Sequence, residues 1–129
     1  MTLNRVEHTA FVTHVNALQA LAGVTKLSLP AGQVLVYQDH FSRGLFVVTR
    51  GSLRVCQQGK DAAQPSELIE SAGDGPLVVP SLLDLDQPAK ATIETHTDVE
   101  LFYIPRSVAL GAGAQLSWLE AGTRRAAGA

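Results

Sequence analysis

The fold is decided by residues 30–55, which have the sequence PAGQVLVYQDHFSRGLFVVTRGSLRV. Two apolar runs, at 34–37 and 45–48, contain the β-branched and aromatic residues that are typical of strands. A polar segment separates the two runs, and a turn signal with glycine follows at 50–52. From 53 to 56 apolar and polar residues alternate, which is the period of a half-buried strand. The stretch therefore predicts three strands joined by two turns.

Working outward, the same pattern continues on the C-terminal side as far as residue 104. About eight short strands separated by turn residues are expected, which indicates an all-β fold, a double-stranded β-helix or jelly roll. Before the strands, apolar residues recur at helical spacing from residue 9 to 22 and predict a short helix. After them, a helical segment is expected over about residues 106–127, with its main helix at 114–125.

The composition fits one globular domain that covers residues 1–129 and has its core at about 11–110. Hydrophobic residues are 46% of the chain and the formal net charge is −2. This charge gives no general attraction to nucleic acid or to anionic membranes, so neither is expected as a direct partner. No apolar run is long enough to span a membrane, and the N-terminus lacks the apolar stretch of a signal peptide. The single cysteine, Cys56, permits no internal disulfide and is compatible with the cytoplasm, the expected location.

Residues 11–110 resemble the cyclic-nucleotide-binding domain family, as found in Crp/Fnr-type bacterial regulators and in the regulatory subunits of cAMP-dependent kinase. The matching elements are Gly32, Leu45 to Val48, Gly51, Val55, Ala72 to Asp74, Ser81 to Leu83, Pro88, Ala91-Thr92, Thr97 to Leu101 and Ile104 to Arg106. At the family's Gly-Asp turn this chain has Asp39-His40 instead. The resemblance implies a stand-alone regulatory or ligand-sensing module that is not an enzyme and carries no cofactor.

The resemblance also implies where a ligand would bind. The family binds the ribose hydroxyl with a Gly-Glu pair and the cyclic phosphate with an arginine. Here the Gly-Glu position falls on Val78-Val79 or Val79-Pro80, and the arginine position falls on Ala89. We therefore expect no binding of cAMP or cGMP in the usual way, and an effector of unknown identity. Lys90 stands one residue later, where a strand directs its side chain to the opposite face; whether it substitutes for the arginine stays open. The candidate pocket residues are Leu77, Val78, Val79, Pro80, Leu82, Ala89, Lys90, Ala91 and Thr92.

Two alternatives remain open. One is a metal-dependent enzyme of the cupin type, but of the three ligands expected after Gly32 only His40 is present. A metal site needs three or four ligands, so no metal is expected, and His96 and Cys56 are interpreted as a surface residue and an inert thiol. The other alternative is a pure protein-interaction domain whose pocket has collapsed, with a partner protein in place of an effector.

Large apolar residues near the chain end raise the question of assembly. Leu116, Trp118 and Leu119 lie on a segment too short and too glycine-flanked to be stable alone. Such a segment packs either on its own domain or on a second chain. In the resembling family the equivalent helix pairs with its twofold mate, which implies a homodimer with these three residues at the interface. Gly111 and Gly113 also allow the segment to fold back instead.

Overall fold

In the computed structural model of the chain, the described residues are 3–58, 66–121 and 123–125. The strands are β1 (Asn4–Val6), β2 (Thr25–Leu29), β3 (Val34–Val36), β4 (Gly44–Arg50), β5 (Ser52–Gln57), β6 (Ser66–Ser71), β7 (Leu77–Val79), β8 (Thr92–Thr95), β9 (Val99–Pro105) and β10 (Thr123–Arg125). The helices are α1 (His8–Ala20), α2 (Arg106–Gly111) and α3 (Trp118–Ala121), with single 3₁₀ turns at Ala72–Asp74, Leu82–Asp84 and Gly113–Leu116. No helix in these ranges has the length and apolar character needed to cross a bilayer.

The strands form two antiparallel sheets. The first has the order β10-β1-β7-β4-β9-β2 and the second has the order β3-β8-β5-β6. Except for β5 and β6, which form a hairpin, consecutive strands from β2 to β9 alternate between the sheets. The two sheets pack face to face, so the mostly-β architecture predicted from the alternating pattern is confirmed.

Buried apolar residues form two clusters, one on each face of the six-stranded sheet. The cluster between the sheets includes Val48 and Leu77 from one sheet and Leu53 and Val55 from the other. The second cluster lies between the six-stranded sheet and the helices. Strand β7 contributes to both, because successive side chains of a strand point to opposite faces.

Helix α1 matches the helix expected over residues 9–22. It ends at Ala20, because Leu21 already has extended backbone angles, and Gly23 then takes a positive φ of 93°. That conformation favours glycine, and it turns the chain into β2.

The C-terminal region corrects the expectation of one helix at 114–125. A 3₁₀ turn at Gly113–Leu116 is followed by the four residues of α3, and Thr123–Arg125 then form β10, which pairs with β1. Glycines disfavour a continuous helix here, and the β1 edge offers backbone hydrogen bonds instead. Within the expected segment, residues 122, 126 and 127 lie outside the described residues.

The outer face of the second sheet carries an ion-pair network across three strands. Arg54 on β5 bonds Glu67 on β6 (Nη2 to Oε2, 2.8 Å) and Glu94 on β8 (Nη1 to Oε1, 3.1 Å). The hydrogen bond to Glu67 and the charge of that carboxylate raise the pKa of Arg54.

Candidate ligand site

The candidate pocket residues lie on β7 and on the segment that leads from it to β8. Strand β7 is covered on both faces. Leu77 and Val79 are fully buried between the sheets, and Val78 is buried against the helices. These three side chains are therefore parts of the two cores.

The segment after β7 begins with a tight turn. The Val79–Pro80 peptide bond is cis, and Ser81 caps the 3₁₀ turn at Leu82–Asp84. Its hydroxyl accepts from the backbone N–H of Asp84 (3.2 Å) and donates to the carboxylate of the same residue (2.9 Å). The turn expected from this cap is present.

The rest of the segment is tied to the loop between β3 and β4. Asp39 N–H donates to Ala89 O (2.7 Å), and Ala89 N–H donates to His40 O (2.8 Å). Thr92 Oγ1 accepts from the N–H of Gln38 (2.9 Å). Backbone atoms of Ala89 and the hydroxyl of Thr92 are thus engaged by the loop.

Lys90 and Ala91 have opposite surroundings. Lys90 is exposed, whereas Ala91 is buried in the cluster between the sheets. Lys90 lies in the bend before β8, and its side chain is open to solvent.

The interior beside the candidate residues is occupied by the chain's own side chains. Leu77, Val79 and Ala91 belong to one cluster with buried residues of β3, β5 and β8. Those residues are Val36, Leu53, Val55 and Ile93. Surface depressions of about 540 and 430 Å³ lie elsewhere, beside Arg50 and Glu100 and between α1 and Gln115.

The sequence profile of the cyclic nucleotide-binding domain family matches residues 26–112. The chain belongs to the cyclic nucleotide-binding domain family. The match runs from β2 through α2, so it includes β7 and the whole candidate segment. The resemblance drawn from the sequence is confirmed. No curated protein matches the chain significantly.

Solved structures show the same fold. The catabolite activator protein of Thermus thermophilus is similar with a TM-score of 0.63 and 23% identity, over 85% of this chain and 50% of that one. A cAMP-binding acyltransferase from Mycobacterium smegmatis is similar with a TM-score of 0.59 and 24% identity, over 81% of this chain and 33% of that one. The N-terminal domain of a transcriptional regulator from Streptomyces coelicolor has a TM-score of 0.58 and 18% identity, over 84% and 77%. The chain thus spans half or less of the length of the first two.

One buried charged residue of this cyclic nucleotide-binding domain escapes sequence reasoning. Arg5 lies on β1, opposite Leu77 on β7, and is only 9% exposed. Its Nη1 donates to Gly75 O (2.8 Å), and its Nη2 forms an ion pair with Glu70 Oε2 (3.2 Å). Glu70 is on β6 in the opposite sheet, so the pair bridges the two sheets. A three-residue strand has no measurable period, and the sequence places the carboxylate far from Arg5, so no local signal marks this pair.

Among the described residues, the metal-ligand set that the cupin alternative requires is not present. Within 3–58, 66–121 and 123–125, no group of three or more His, Cys, Asp or Glu is placed to hold a metal ion. His40 lies in the turn after β3, with its ring 5.7 Å from that of Tyr37. His96 is exposed and Cys56 is a free, half-buried thiol.

The three residues assigned to a dimer interface lie in the chain's own core. Leu116 is 1% exposed, Trp118 8% and Leu119 0%. The Trp118 ring stacks on His14 (centroids 4.9 Å apart, planes 7° apart) and lies 6.4 Å from Phe11. The segment has folded back onto α1, so these side chains have little surface left for a second chain.

Proposed function

We propose that this cyclic nucleotide-binding domain is a regulatory module, without catalytic activity, that does not bind cAMP or cGMP in the usual way. The observation that carries the proposal is the set of residues at the phosphate and ribose positions. Val79, Pro80 and Ala89 stand there in place of an acid and an arginine. Each missing charge-assisted hydrogen bond removes about 1.5–3 kcal/mol of binding free energy.

The closed interior supports the same proposal. A nucleotide that entered between the sheets would have to displace fully buried side chains such as Leu77 and Val79. It would also lose water from its phosphate without gaining a free cation, since Lys90 is exposed and the buried Arg5 is already paired with Glu70. An effector that enters beside β7 would therefore be apolar.

The strand order supports the finer fold assignment, a jelly roll. The order β2-β9-β4-β7 lies opposite β3-β8-β5-β6, and the chain crosses between the sheets after most strands. In this scheme β1 and β10 are additions at the β7 edge.

The free thiol of Cys56 is compatible with a reducing cytoplasm, where we expect the module to be located.

Isothermal titration with cAMP and with cGMP tests the proposal. We expect no saturable heat with the wild-type chain and none with Lys90→Ala. A dissociation constant in the micromolar range or tighter for either nucleotide would overturn the proposal. If that binding disappeared in Lys90→Ala, the lysine would be identified as the missing cation.

The second candidate is a protein-interaction domain whose pocket has collapsed, and the filled interior between the sheets favours it. The two candidates differ in whether the interior can open. A naphthalene sulfonate dye that fluoresces in apolar surroundings distinguishes them when added to the native chain of 129 residues. Saturable fluorescence at one site supports an apolar effector pocket, and no fluorescence supports the interaction domain.

A further inference from the structure

We propose that β1 is a latch strand: its pairing with β7, which leads into the candidate ligand segment, and with the C-terminal strand β10 holds both strands together. We also propose that the Arg5–Glu70 ion pair keeps β1 in this paired position. The inference does not depend on whether the domain binds a nucleotide. It rests on the position of β1 in the sheet and on the burial of its side chains.

The first step is the order of the strands. Strand β1 lies between β7 and β10, with Asn4 opposite both Val78 and Arg125. Among the described strands, β10 is paired with β1 only. Strand β7 leads directly into the Val79–Pro80 bond and the candidate segment. A displacement of β1 therefore frees β10 and uncovers the edge of β7 at the same time.

The second step is that the side chains on both faces of β1 are buried. Leu3 and Arg5 face the space between the sheets, where Leu3 is 5% exposed, and Val6 is fully buried against the helices. The N–H of Val6 donates to Pro76 O (2.8 Å). Gly75 permits this approach, because a Cβ at that position would stand 2.6 Å from Val6 O.

The third step is the ion pair itself. The side chains of Arg5 and Glu70 are only 10% and 11% exposed. Removing one partner leaves an unpaired charge in the interior, whereas replacing both by apolar groups of similar size leaves none. The pairing of β1 within its sheet therefore depends on two residues that belong to different sheets.

The experiment is amide hydrogen exchange on the chain of 129 residues, followed by mass spectrometry. The latch variants are Arg5→Met and the milder Glu70→Gln, and the paired replacement is Arg5→Met with Glu70→Leu. The matched control is Arg50→Met, which breaks the exposed Arg50–Glu100 pair (3.6 Å).

In either single variant we expect exchange to rise by about tenfold or more in β1, β7 and β10 together, and to stay unchanged in β5 and β8. The paired replacement leaves no unpaired charge but still lacks the hydrogen bond from Arg5 to Gly75 O, so its rate should fall between those of the single variants and the wild type, and the control should not change it. Where Arg5→Met does not fold, Glu70→Gln and the paired replacement decide the question. Faster exchange in β1 without faster exchange in β10, or an equal rise in every strand, would overturn the proposal.

Discussion

The side-chain amide of Gln38 pairs with the backbone of Gln58 as a neighbouring strand would. Its Nε2 donates to Gln58 O (2.8 Å), and its Oε1 accepts from Gln58 N–H (2.9 Å). The backbone N–H of Gln38 also donates to Thr92 Oγ1. One residue thus ties the loop after β3 both to the end of β5 and to the start of β8, beside the candidate ligand segment.

Gln38→Glu should loosen this junction. The new carboxylate can still accept from the N–H of Gln58, but it can no longer donate and instead places a negative charge beside the carbonyl oxygen. We expect the free energy of unfolding to fall by about 1 kcal/mol and the Gln58 amide to exchange faster. Urea denaturation and hydrogen exchange measure the two effects. Gln87→Glu makes the same charge change at an exposed position, so an equal loss there would show that the pairing contributes nothing.

Two glycines should respond to alanine in opposite ways. At Gly44 a Cβ would lie 2.1 Å from the backbone oxygen of Ile104, inside the β4–β9 ladder, whereas at Gly111 nothing lies within 4 Å. We expect Gly44→Ala to lower the free energy of unfolding by about 3 kcal/mol, because a backbone atom cannot move without breaking the ladder. Gly111→Ala, at the end of α2, should raise it by up to about 1 kcal/mol. Thermal and urea unfolding of both variants check this, and a similar effect at the two sites would contradict the packing described at Gly44.

Trp118→Ala should be among the more damaging substitutions. Its ring is 8% exposed and contacts His14 and Phe11, so its removal leaves a cavity between α1 and the six-stranded sheet. We expect a loss of about 3–5 kcal/mol in the free energy of unfolding. Phe41→Ala is the control, since Phe41 is 58% exposed and should change that free energy by no more than about 0.5 kcal/mol. Comparable losses would mean that the indole is not packed as described.

Homodimerisation stays a prediction, and light scattering tests it. Because Leu116 and Trp118 are covered within their own chain, changing them together to Ser and Ala should lower stability rather than remove a contact between chains. We expect a dimeric wild type and a double variant that is less stable but of the same mass. A monomeric wild type would show the dimer prediction to be wrong. A wild-type dimer that becomes a folded monomer in the double variant would restore these residues to the interface.

Local patterns predicted the parts of the fold that depend on local chemistry. Leu53 and Val55 are buried and Arg54 is half-buried, as alternation along β5 requires. Ser81 caps its turn through a contact that spans only three residues. Strand β1 was missed because it has three residues and an arginine at its centre. The burial of that arginine makes sense only with Glu70, and contacts across 65 positions leave no trace in a single sequence.

In the candidate site, too, the sequence predicted local features but not long-range contacts. The absence of an acid and an arginine was visible from the residues at Val79, Pro80 and Ala89. The sequence did not show that one filled cluster would contain Leu77, Val79 and Ala91, because this depends on how closely the two sheets approach. The Leu116 segment was ambiguous for a similar reason: an apolar face predicts burial, but it does not say against which surface.

The Arg54 network on the outer face of the second sheet selects one alignment of three strands. If β5 slid by one residue, Arg54 would turn toward the apolar interior, and Val55 would turn outward toward Glu67 and Glu94. Those two carboxylates would then have no cation between them, and the misaligned sheet would bury a guanidinium group without a partner. Misaligned pairings of β6, β5 and β8 are therefore less stable than the observed one, and the charges on the outer face help to fix the register of these three strands.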